Sequence, residues 1–84
     1  MLELVYTPHA VRDIKKLDPV VQKKLEKALE KLQTNPLGLS KKLEAFALGG
    51  YRYRFGSYRI LFDLDNAKKR IVILKVGHRR EVYQ

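Results

Sequence analysis

Apolar and polar residues alternate over Leu2–Tyr6, a period of two that predicts a short strand opening the chain. The period then lengthens. Ala10, Val11, Ile14 and Leu17 recur at helical spacing, and Thr7-Pro8 supplies an N-cap followed by a first-turn proline, so a helix is predicted over Pro8–Leu17. Asp18-Pro19 repeats the signal ahead of Val21, Leu25, Ala28, Leu29 and Leu32, the stripe of a second and longer helix. Lys23, Lys24, Lys27 and Lys31 share its other faces with Gln22, Glu26 and Glu30, a mixed-charge pattern usual for a solvated surface. Asn35-Pro36 and Gly38 end that helix, and Leu39–Gly50 reads as a connection pinned to the core by Leu43, Phe46 and Leu48.

Strand periodicity returns in Tyr51–Phe55, Tyr58–Leu64 and Arg70–Val76, separated by Gly56-Ser57 and by the polar turn Asp65-Asn66-Ala67-Lys68. The order β-α-α-β-β-β predicts a single small α+β domain over residues 1–84, with a helical hairpin packed on a mostly antiparallel sheet.

Gly56-Ser57 has the form of a two-residue hairpin loop in which Gly takes the position that demands positive φ. Such a loop fixes a register: Phe55 opposite Tyr58, Arg54 opposite Arg59, Tyr53 opposite Ile60 and Arg52 opposite Leu61. Directly opposed residues, and residues two apart on one strand, share a face. Arg52, Arg54 and Arg59 therefore fall on one side, and Tyr51, Tyr53, Ile60 and Phe62 on the side suited to the helices. Like charges directly opposed cost on the order of 0.2–1 kcal/mol, so packing does not explain Arg54 facing Arg59. A bound anion would relieve the repulsion. The alternatives are that both guanidiniums splay into water or that a slipped register parts them.

The last strand leads into Val-Gly-His-Arg-Arg-Glu-Val-Tyr, residues 76–83. Gly77 permits a bend that would carry His78, Arg79 and Tyr83 toward the sheet surface. Spacing does not decide whether they reach the Arg54/Arg59 face.

Charge sharpens the reading. Lys and Arg total 18 against 9 Asp and Glu, a net charge of +9, which favours polyanionic partners, nucleic acid first among them and an acidic protein second. Cysteine is absent, which removes disulfides, thiolate metal sites and a cysteine nucleophile. The opening apolar run is too short for a signal peptide, and no stretch approaches the roughly 20 residues of a membrane span. A cytoplasmic protein is expected. No paired-carboxylate, HExxH or P-loop pattern occurs, so metal hydrolase and nucleotide-binding readings lack support.

The segment KLEAFALGGYRYRFGSYRILFDLD, followed by RIVILKVGHRREVY, closely resembles the RelE/ParE superfamily of toxins, and the strand, helical hairpin and Asn-Pro break before it extend the resemblance over essentially the whole chain. YRYRFGSYRILF and VGHRREVY carry most of it. The resemblance implies a toxin that, in the RelE branch, cuts messenger RNA in the ribosomal A site and is held inactive by a cognate RelB-like antitoxin. It also implies a catalytic set comprising Arg54, Arg59, Arg79 and Tyr83, with Arg52 and Lys42 holding RNA, and no cofactor or metal.

The RelE prototype has lysines where this chain has Arg52 and Arg54, which leaves the general base open, because an arginine practically cannot accept a proton. His78 is the motif residue whose ordinary pKa lies near neutrality, and it is the candidate for proton transfer; a bend residue without chemical role is the alternative. Glu44 is a second candidate base, since related ribosome-dependent toxins use a glutamate from a nearby region. Tyr83 would stack on a base or orient the 2′-hydroxyl. Two other readings share the fold: a ParE-like toxin that poisons DNA gyrase by protein contact, and a non-catalytic RNA-binding module.

Overall fold

The computed structural model describes residues 2–39, 41–42, 50–65 and 67–78. Strand β1 (Glu3–Tyr6) leads into α1 (Pro8–Lys15) and α2 (Pro19–Thr34). A single turn, α3 (Pro36–Leu39), and a two-residue strand, β2 (Lys41–Lys42), precede β3 (Tyr51–Phe55), β4 (Tyr58–Asp65) and β5 (Arg70–His78). The expected β-α-α-β-β-β order is present, with α3 added at the Asn35-Pro36 break and β2 in the stretch read as a connection.

Both helices start where their caps place them. Thr7 Oγ1 accepts from the Ala10 N–H at 3.1 Å and donates to the Ile73 carbonyl at 3.0 Å, so one hydroxyl caps α1 and ties it to β5. Asp18 Oδ1 accepts from the Val21 N–H at 3.0 Å and caps α2. Helix α1 stops at Lys15, short of the predicted Leu17. The Lys16 and Leu17 N–H groups bond to Asp13 and Ile14 carbonyls in tighter three-residue turns, which swing the chain into the Asp18 cap. Gln22 Nε2 donates to the Ile14 carbonyl at 2.9 Å and fixes α2 against the end of α1. Asn35 ends α2, and its Oδ1 accepts from the Gly38 N–H at 3.2 Å, so the expected break is itself capped.

The sheet order is β1-β5-β4-β3-β2. Among the described residues only β1 and β5 pair in parallel; the remaining pairs are antiparallel, so β1, β3 and β5 run in one direction. Ala10, Leu25, Ala28, Leu29 and Leu32 from the helices pack on Ile60, Phe62, Ile71, Ile73 and Val76 from the sheet, all of them buried. Tyr51 stacks on Phe62 with ring centroids 5.5 Å apart, extending this layer to the far strand. No helix among the described residues is long and apolar enough to cross a membrane.

Candidate functional site

Gly56 has φ of +58°, the left-handed conformation that a two-residue hairpin needs at its first position and that glycine adopts without a Cβ clash. The loop sets β3 against β4 with Phe55 opposite Tyr58, Arg54 opposite Arg59, Tyr53 opposite Ile60 and Arg52 opposite Leu61. Ile60 and Phe62 lie in the helix-covered core, so Arg52, Arg54, Arg59 and Leu61 occupy the other side of the sheet. The three arginines share a face. Arg54 is exposed, Arg52 is half-buried, and Arg59 is only 8 % exposed, the one buried charged side chain among the described residues.

Holding a guanidinium out of water is costly unless anions or carbonyls compensate it, and a second guanidinium directly across the strand pair adds repulsion. A phosphate oxygen placed between the two reverses the sign of that interaction. Arginine suits this task because its planar fork gives bidentate bonds and its charge persists at any physiological pH.

Strand β5 completes the face and changes two expectations. Leu61 stands opposite Lys75 while its neighbour Phe62 stands opposite Ile73, so Leu74 is the extra residue of a β-bulge. Burial along the strand records the shift: Ile71 and Ile73 are buried, Leu74 and Lys75 are both half-buried, and the buried phase resumes at Val76. Beyond the bulge, facing is inverted relative to simple alternation. Lys75 joins Arg59 and Leu61 on the arginine side, and His78, opposite Tyr58, falls on the helix side.

His78 therefore does not converge with Arg54 and Arg59. Its ring meets Tyr58 edge-on, centroids 5.7 Å apart, and it lines a cleft of about 530 Å³ with Asp13, Lys16, Leu17, Asp18 and Tyr58. Gly77 is not a bend either. It continues β5 opposite Arg59 and is buried there. Lys42 pairs with Tyr51, and the register position opposite Arg52 belongs to Lys41. Arg79, Tyr83 and Glu44 lie outside the described residues, as do Leu43, Phe46 and Leu48.

Two residues that sequence reasoning passed over emerge. Lys75 sits in an apolar-looking run, Ile-Val-Ile-Leu-Lys-Val, that simple alternation would bury on the helix side; only the bulge moves it. Asp13 has Oδ2 3.1 Å from the Val76 N–H, whose hydrogen bond it accepts, and 3.4 Å from His9 Nε2. No local motif signals this, since 63 residues separate the partners.

A family model described as the ParE toxin of type II toxin-antitoxin systems matches residues 4–83. Toxin RelG of Mycobacterium tuberculosis is 35% identical over 80 residues, covering 94% of this chain and 92% of that protein. In the RelBE2 toxin-antitoxin complex of the same organism, one chain superposes with a TM-score of 0.83 at 34% identity, covering 93% of this chain and 98% of its own. Isolated Escherichia coli RelE superposes with a TM-score of 0.80 at 24% identity over 99% of this chain and 92% of its own, a likeness of fold. With the fold, the arginine face and these matches in agreement, the chain belongs to the RelE/ParE superfamily, as a RelE-like toxin of type II toxin-antitoxin systems.

Proposed function

We propose that this toxin cleaves messenger RNA in the ribosomal A site without a metal ion, and that an antitoxin of the RelB kind holds it inactive. The observation that carries the reading is Arg54 directly opposite Arg59 on the side of the sheet away from the helices, with Arg52 two residues along. Cleavage of this kind needs the 2′-hydroxyl deprotonated as it attacks phosphorus, the added negative charge stabilised, and the departing 5′-oxygen protonated, leaving a 2′,3′-cyclic phosphate. Arg54 and Arg59 meet the second need from adjacent strands, and Arg52 holds the strand beside the scissile phosphate. Arg79 and Tyr83 are assigned by resemblance to the family motif: Arg79 as a further phosphate ligand, Tyr83 to stack on a base or orient the 2′-hydroxyl. His78 has no part in the proton transfers, because its register position lies on the other side of the sheet.

An antitoxin partner fits both the +9 charge, which an acidic chain would neutralise, and the solved RelB–RelE complexes among the structural relatives. The ParE family match favours a second reading, a toxin that binds DNA gyrase and cuts no RNA. Mapping messenger RNA ends after brief induction separates the two. New ends within codons of translated regions, lost in the variant carrying Arg59→Ala and Arg79→Ala, support cleavage; DNA damage signals without new ends select the gyrase reading.

A further inference from the structure

The bulge in β5 does more than exclude His78. It delivers a further cation to the arginine face, on β5. In one row across the sheet stand Arg52 on β3, Leu61 on β4 and Lys75 on β5, and in the next row Arg54, Arg59 and Gly77. Strand spacing puts the backbone of Arg52 and Lys75 about 10 Å apart, on either side of Leu61. Leu61 is 0 % exposed and its two flanking cations are both half-buried, as when long cationic stems lie beside an apolar residue.

We propose that Lys75 is an RNA-binding residue that engages a backbone phosphate next to the one held by Arg54 and Arg59, so that the bound strand crosses β3, β4 and β5. Two features carry the inference. Two half-turns of register logic place Lys75 on this side only because Leu74 is extra; without the bulge, its charge would be directed into the layer that contains Ile71 and Ile73. Lysine acts as a compact point charge without the directional fork of arginine, which suits a neighbouring phosphate held for register while the two guanidiniums hold the reacting one.

This inference rests on the RNA-cleaving reading, and the experiment distinguishes their failures. Binding of the full chain to a fluorescent single-stranded RNA oligonucleotide is measured against salt concentration, for the wild type, Lys75→Gln, Lys75→Met, Lys75→Arg and Arg54→Ala, each first shown to melt cooperatively. Losing one phosphate contact lowers the slope of log affinity against log salt by about 0.7 for a single strand. The expected result is that loss in both neutral variants at position 75, whatever the RNA sequence, with the wild-type slope kept in Lys75→Arg. An unchanged slope in Lys75→Gln and Lys75→Met, with a lowered slope in Arg54→Ala, overturns the role of Lys75 and leaves the arginine site standing. Absence of RNA binding by the wild type overturns both.

Discussion

The Asp13 carboxylate accepts a hydrogen bond from the Val76 N–H at 3.1 Å, joining α1 to the part of β5 that β1 no longer covers. Strand β1 pairs with β5 only as far as Tyr6 opposite Ile73, so beyond that point the outer edge of β5 needs another acceptor. Asp13 supplies it just before the chain enters the segment bearing Arg79 and Tyr83. Replacing Asp13 with Ala removes a charged acceptor from a largely buried donor, and the expected loss is about 2 kcal/mol, read as a lower urea midpoint with an unchanged slope. Asp13→Asn, which keeps a carbonyl oxygen there, is expected to recover part of it.

Arg54 and Arg59 are like charges directly opposed on neighbouring strands. Arg54→Thr removes a like-charge pair and places a good strand former at an exposed position, so the free protein is expected to gain about 0.5 kcal/mol, or about 2–4 °C in Tm, at low salt. The gain should shrink as salt rises, since the repulsion it removes is screened. Adding inorganic polyphosphate is expected to raise the Tm of the wild type more than that of the variant, because only the wild type presents both guanidiniums.

How much of this was legible in the sequence depended on whether the information was local. The Thr7-Pro8 and Asp18-Pro19 caps placed both helices, and Gly56-Ser57 fixed the β3–β4 register residue for residue, which is why the arginine face was readable from one hairpin. Strand β5 was read over Arg70–Val76, two residues short of its end at His78, and spacing assigned it no phase. A bulge there has no local signature, since its cause is the joint demand that Phe62 and Ile73 meet in the core and that Val76 return to it. That phase change alone moves His78 away from the arginines and brings Lys75 to them. Asp13 was illegible for a related reason: its partner is a backbone group from the far end of the chain.

Tyr6 gives the stability a pH dependence on the alkaline side. It lies against the groove between α1 and α2, and burial, with a smaller contribution from Glu26, raises its phenol above the ordinary value of 10.0. The folded state therefore holds this proton more tightly than the unfolded chain. The stabilisation is complete below pH 10 and is lost as pH rises from the unfolded value through the folded one. Urea midpoints taken across that range are expected to fall with pH in the wild type and to fall less in Tyr6→Phe; identical curves would remove Tyr6 as the source.

The most direct test of the account is cleavage of a defined messenger RNA on purified, programmed ribosomes by the purified toxin in excess chelator, compared with Arg54→Ala and Arg59→Lys variants that melt cooperatively. The account predicts A-site cutting by the wild type that leaves a 2′,3′-cyclic phosphate, slowed in each variant by about 100-fold or more, the usual consequence of losing a group that stabilises transition-state charge. Intact messenger RNA with the wild type, or undiminished cutting by both variants, would contradict it.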